Sequence, residues 1–280
     1  MMFKRIARIA AVSVVAVAGV LHVASAPAAA APYGGYHASC STVVNPGNEY
    51  WFHDKSWSEF VDLSDFYFDN GYRVTELDVV GHDVTAVFRP GSGAQWVHGH
   101  MSIGEFEDWD DTYYAQGLRL AEFDRDGDEF FAVWRTGSGE RFWRTAIPTW
   151  TDFKNQDDVL WDQGFRLVDI VIREDGKIGG LWRSDQGSSG QRWNYGILAG
   201  GADANNESAF QKLNRERKEA GYELRILKAF NNDAYRVAVW RYRGGTFNQS
   251  TANFMTTDAM RDWEKACRAG GMRIVTLDVT

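Results

Sequence analysis

Four arginines, Arg89, Arg135, Arg183 and Arg241, each follow a Val-Phe, Val-Trp or Leu-Trp pair. A guanidinium offers a planar fork of donors that suits carboxylates and sugar hydroxyls. The competing reading is a structural ladder, with these arginines paired to Asp78, Asp124 and Asp278, which lie at a constant offset from Arg73, Arg119 and Arg273. Trp51, Trp96, Trp143 and Trp193 form a second recurring set, each beside a polar residue or a charged turn. An exposed indole face stacks on the C–H surface of a sugar ring, so these four are candidate ligand contacts. Trp134, Trp182 and Trp240 stand in apolar strand contexts and read as core.

Other chemistry is weaker. His98 and His100 are two apart, hence on one face of a strand, and His53 aligns with His98; three imidazoles suit zinc. They come from different stretches, and Thr145 and Tyr195 replace them further along, so no metal site is expected. Asp124, Asp126 and Asp128 have the alternation of a calcium loop, but Gly127 and Arg135 fall where that loop needs other residues, and the stretch reads as a turn. There is no Ser-x-x-Lys nucleophile, Gly-x-Ser-x-Gly elbow, His-Glu-x-x-His helix or phosphate-binding glycine loop. The expectation is a protein with no catalytic residue and no cofactor.

These residues are carried by a repeat. Gly71-Tyr72-Arg73-Val74 recurs as Gly117-Leu118-Arg119-Leu120, Gly164-Phe165-Arg166-Leu167, Gly221-Tyr222-Glu223-Leu224 and Gly271-Met272-Arg273-Ile274, at spacings of 46, 47, 57 and 50 residues. The arginine-bearing block follows each of the first four, then a Gly-rich turn (Gly91 to Gly93, Gly137 to Gly139, Gly187 to Gly190, Gly244-Gly245), then an aromatic: Trp96, Trp143, Trp193 or Phe247. Such a period indicates a propeller, solenoid or array. Each unit reads as strand, strand, strand, helix. Asp126-Gly127 and Asp175-Gly176 make tight hairpins, and the Gly-Ser-Gly segments read as further hairpins. Helices are predicted over 57–68, 103–114, 150–161, 208–220 and 257–269, each followed by the recurring glycine as a left-handed cap.

The last unit stops after its first strand, and residues 39–44 resemble a second strand. The two ends therefore complete one sheet, as propellers do to avoid a lone edge. The expected fold is mostly β with short helices, a five-bladed β-propeller of about 50 residues per unit. Cys40 and Cys267 both fall in the closing region and are expected to form a disulfide.

Residues 1–31 read as a cleaved signal peptide: Lys4, Arg5 and Arg8, an apolar run from Ile9 to Val23, then Ala24-Ser25-Ala26 and Ala29-Ala30-Ala31. Residues 32–280 then form a single extracellular domain with no membrane span. The chain carries 30 basic and 38 acidic residues, net −8, and the segment removes only bases, so nucleic acid is excluded as the main partner. The hydrophobic share of 44% is enough for a sizeable core.

The ordered blocks, a helix, a Gly-Tyr-Arg-Leu-type strand, a Val-Trp-Arg-type strand and a Trp-opened strand, resemble the bacterial tandem repeat domain that precedes the hydrolase-like domain of polyglycine hydrolases. The resemblance covers about residues 39–280. It implies a left-handed β-propeller and a lectin-like role for stand-alone members. The chain departs from the pattern at Glu223 and Phe247, in an added loop near Gly200 to Ser208, and in lacking a second domain. Together these readings predict a secreted, non-catalytic protein that binds a glycan or cell-surface polysaccharide. The alternative is a module that binds a secreted protein or peptide, and free-sugar competition separates the two.

Overall fold

The structure is a computed structural model and describes residues 35–43, 47–173, 175–198, 208–231 and 234–280. The expected signal segment, residues 1–31, lies outside the described residues. No helix among the described residues is long and apolar enough to cross a membrane.

The elements run β1 (Tyr36–Thr42), β2 (Tyr50–Lys55), α1 (Trp57–Asp69), β3 (Tyr72–Val80), β4 (Asp83–Pro90), β5 (Gln95–Met101), α2 (Ile103–Ala115), β6 (Leu118–Asp126), β7 (Glu129–Thr136) and β8 (Arg141–Ile147). They continue α3 (Trp150–Asp162), β9 (Arg166–Ile172), β10 (Ile178–Arg183), β11 (Gln191–Leu198), α4 (Ala209–Glu219), β12 (Tyr222–Phe230), β13 (Tyr235–Tyr242), β14 (Gln249–Met255), α5 (Thr257–Ala269) and β15 (Met272–Val279). The strands pair into five three-stranded antiparallel sheets: β2-β4-β3, β5-β7-β6, β8-β10-β9, β11-β13-β12 and β14-β1-β15, here the first to fifth. This mostly-β architecture, with five short helices among the described residues, is compatible with a five-blade propeller-like arrangement.

The helices begin where the sequence supplies caps. Ser56, Ser102 and Ser208 each form a capping box with the residue three further on, while Thr149 and Thr256 cap by side chain alone. They end where Gly71, Gly117, Gly164, Gly221 and Gly271 take φ between 73° and 88°, a conformation other residues rarely adopt. Each helix buries a large side chain from its first turn against its sheet: Phe60, Phe106, Phe153, Phe210 and Met260. Trp134, Trp182 and Trp240 are fully buried on the central strands, as expected.

The Gly-Ser-Gly segments are not hairpins. β4 pairs with β2 and β3, whereas β5 pairs with β7, so Gly91 to Gly93 carries the chain from one sheet into the next. The folded unit is strand, helix, then a two-strand hairpin. The fifth sheet keeps this order, with its central strand β1 drawn from the N-terminal side and paired to both β14 and β15. Gly35 and Thr280 exchange backbone hydrogen bonds at 3.2 Å. The predicted Cys40–Cys267 disulfide is present, joining β1 to α5 across 227 residues.

Side chains fasten neighbouring sheets. Arg73, Arg119 and Arg166 reach forward to the carbonyls of Gly93, Gly139 and Ser189, and Arg273 reaches Gly47 at 2.9 Å. Glu223 breaks the series, but Arg243 compensates: it donates to Glu223 at 2.7 Å and to the Thr42 carbonyl of the fifth sheet at 2.5 Å.

Candidate functional site

One irregularity repeats in every sheet and shapes the site. The edge strands β3, β6, β9, β12 and β15 carry a bulge at Thr75, Ala121, Val168, Arg225 and Val275, each skipped by the register of the central strand. An extra residue re-aims side chains locally. All five bulge residues line one cavity of ≈ 540 Å³.

The four predicted arginines meet in that cavity. Arg89, Arg135, Arg183 and Arg241 line it together with Arg225 and Arg243, facing only three acidic residues, Glu76, Glu122 and Glu223. The expected pairing with Asp78, Asp124 and Asp278 does not occur. Arg89 lies opposite Arg73 while Asp78 lies opposite Thr85, at the other end of the hairpin. Arg89 instead donates to Glu49 at 2.7 Å, Arg183 grips Asp185, and Arg241 donates to Gln186 at 2.8 Å and to the Leu167 carbonyl at 2.5 Å. Arg89 Nη2 and Arg241 Nε are buried with no hydrogen-bond partner among the described residues.

The electrostatics follow from crowding. Burial, with Arg225 and Arg166 nearby, lowers Arg241 to about 10. Burial also lowers Arg135, although Glu122 opposes the shift. Burial raises Glu76 to about 8, against the pull of Arg89, and raises Glu122 well above the ordinary carboxylate range, with Glu76 and Asp169 adding to it. With Glu76 raised to about 8 it is largely protonated at neutral pH and compensates the neighbouring arginine charge less.

A second cavity of ≈ 190 Å³ is lined by Asp78, Asp124, Lys228 and Asp278. Lys228 Nζ lies 2.6 Å from Asp78 and 3.3 Å from Asp278. Burial alone would depress this ammonium, but Asp78, Asp278, Asp124 and Asp169 raise it well above its ordinary value. These carboxylates also stitch strands. Asp124 accepts from the Val79 N–H, Asp169 from Phe123, Asp78 from Val279 and Asp278 from Ala229. The cluster satisfies itself and reads as structural.

The tryptophans divide differently from the expectation. Trp51 lies opposite Val87, Trp143 opposite Leu181 and Trp193 opposite Val239, whereas Trp96 lies opposite Trp134. Trp96 is thus one register position away from the other three, and its neighbour Val97 is their equivalent. A one-residue step reverses the face in a strand. Trp51, Trp143 and Trp193 are partly buried and pack on the core of the preceding sheet. Trp143 Nε1 donates to Asp110 at 2.7 Å and Trp193 Nε1 to Asp157 at 2.8 Å, so their polar edges are already engaged. Trp96 is 43% exposed and stacks on Tyr113, which in turn stacks on the 38%-exposed Trp109. Trp109 was not singled out by the repeat because it lies on a helix face. Phe247, expected to open a strand, is buried ahead of β14.

The histidine triad is not assembled. His98 Nε2 lies 2.6 Å from the Tyr113 hydroxyl and burial lowers its pKa, while His53 meets Asp54 and Arg261. The three aspartates near Gly127 also diverge: Asp124 turns inward, Asp126 accepts from the His82 N–H, and Asp128 meets Arg125. No protein-family model matches the chain, and comparison with curated proteins finds no relative.

Proposed function

We propose that this is a secreted, non-catalytic binding protein whose arginine-lined cavity takes a carboxylate-bearing carbohydrate. The observation that carries the reading is the convergence of Arg89, Arg135, Arg183 and Arg241, from four sheets, on one cavity with unsatisfied guanidinium donors. A uronate supplies both a carboxylate for a bidentate guanidinium contact and hydroxyls for the remaining donors. Trp96 and Trp109, exposed on either side of the buried Tyr113, offer a separate surface for neutral ring faces. The proposal includes a closed, left-handed five-bladed ring of the kind found in the tandem repeats it resembles. The Arg273–Gly47, Val279–Asp78 and Gly35–Thr280 contacts support closure, and the disulfide is consistent with an oxidising, extracellular setting.

Titration calorimetry with oligogalacturonate, oligoglucuronate and neutral cello-oligosaccharides tests the reading. Acidic oligomers are expected to bind, and Arg135→Gln and Arg241→Gln to weaken them by about tenfold each, since a charge-assisted pair contributes roughly 1.5–3 kcal/mol. Absence of binding to any acidic sugar would remove the reading. A peptide ligand is the second possibility, favoured by Glu76, Glu122 and Glu223 standing among the arginines, where a peptide backbone finds both hydrogen-bond acceptors and donors. A bound secreted peptide that free uronate fails to displace would favour it.

A further inference from the structure

We propose that His82, His100 and Glu129, with Asp126, form a binding site for a divalent transition metal of the zinc class, joining the first and second sheets. The three principal donors lie within 4.8 Å of one another. His100 Nδ1 is 2.6 Å from Glu129 Oε2, and His82 Nδ1 is 3.8 Å from the same oxygen. Asp126 Oδ2 is 3.3 Å from His82 Nδ1 and also accepts the His82 backbone N–H at 2.6 Å. Zinc–ligand bonds of about 2.0–2.1 Å place tetrahedral donors ~3.4 Å apart, so small rotations of exposed side chains suffice. Two imidazoles with carboxylate oxygens suit zinc and its first-row neighbours, whereas calcium and magnesium take oxygen donors.

The backbone aims both rings at this point. His82 has φ of 69° and His100 of 54°, two of only four non-glycine residues with positive φ among those described. In the fourth sheet the bulge position of His100 is held by Gly196 (φ 65°) and the corresponding hairpin turn has Asn231 (φ 54°), residue types suited to that conformation. The bulge also turns His100 away from His98, onto Phe131 and Trp57, which back the ring at 5.0 and 6.4 Å. His82 comes from the β3–β4 turn, His100 from the end of β5, Asp126 from the end of β6 and Glu129 from the start of β7. A bound ion therefore bridges two sheets. The donors lie outside the arginine-lined cavity, so the site does not depend on the sugar-binding reading.

The test is zinc titration of chelator-treated full-length protein by calorimetry, with cobalt(II) absorption as a second readout. One equivalent of zinc is expected to bind, cobalt to give the visible bands of a low-coordinate site, and zinc to raise the unfolding temperature until a chelator reverses it. His82→Asn and His100→Gly keep residues suited to positive φ and should weaken zinc by at least about tenfold. His53→Asn should not. No stoichiometric binding, or equal binding by His82→Asn and His100→Gly of normal circular dichroism, would overturn the site.

Discussion

The Arg273 guanidinium donates to the main-chain oxygen of Gly47, 226 residues away in sequence. Arg73, Arg119 and Arg166 make the same reach between consecutive units. Arg273→Met should therefore behave like Arg119→Met. Each is expected to cost about 1.5–3 kcal/mol, the range for a hydrogen bond to a charged group, measured by urea unfolding. A cost near zero for Arg273 alone would show that the contact contributes nothing to holding the two ends together.

Asp110 is a second fastener. It accepts from Trp134 of its own sheet, from Trp143 of the next and from Arg141. Asp110→Ala leaves two indole N–H groups without an acceptor and Arg141 with Asp111 alone, and should destabilise by about 2–4 kcal/mol. Asp110→Asn should cost less, because Asn214 serves Trp240 in the fourth sheet. Urea titration followed by tryptophan fluorescence distinguishes the two.

Cys40→Ser with Cys267→Ser opens a loop of 227 residues. Chain-entropy arithmetic gives a loss of about 5 kcal/mol at most. The expected result is a large fall in the denaturant midpoint, reproduced by adding reductant to the unmodified protein.

Stability should fall as pH rises. Burial raises Asp169 to about 6, Asp278 to about 7 and Glu76 to about 8, although Lys228 opposes the shift at each. A carboxylate raised in the folded state holds its proton there while the unfolded chain has released it, so its contribution is complete below the unfolded value. It is lost as pH climbs through the folded value, here between about 6 and 8. The melting temperature at pH 5 should exceed that at pH 8.5. Lys228→Met removes the cation shared by Asp78 and Asp278, and should cost about 3–5 kcal/mol and steepen this dependence.

Much of the frame was legible because glycine after a helix is a strong local signal. Gly71, Gly117, Gly164, Gly221 and Gly271 marked five helix ends, and the N-terminal strand was matched to the last unit by its resemblance to the other central strands. What periodicity could not supply was sheet membership. A glycine turn between two strands reads the same whether they pair or part, and here they part. Bulges defeated the rest. A strict two-residue alternation places His98 with His100, but the extra residue separates them. It also aligns Trp96 with Trp51, though the hydrogen-bond register sets them a residue apart. The arginines were found from sequence because they repeat, while their partners, Glu49, Asp185 and Gln186, were missed because these do not. Trp109, Glu129 and His82 carry no repeat signature at all, and only the packing of adjacent sheets brings the last two together.

Cys40 stands opposite Ser250 and Ile274, the register position that Trp134 and Trp240 hold in their own sheets. Where those indoles are tied to a helix by a hydrogen bond to Asp110 or Asn214, the fifth sheet is tied by sulfur. The second, third and fourth sheets make this tie by an indole hydrogen bond that needs no oxidant, whereas in the fifth the tie at this position forms only where thiols are oxidised. Transfer to a reducing compartment would loosen the molecule at that one seam, which makes the seam a gauge of where the chain has matured.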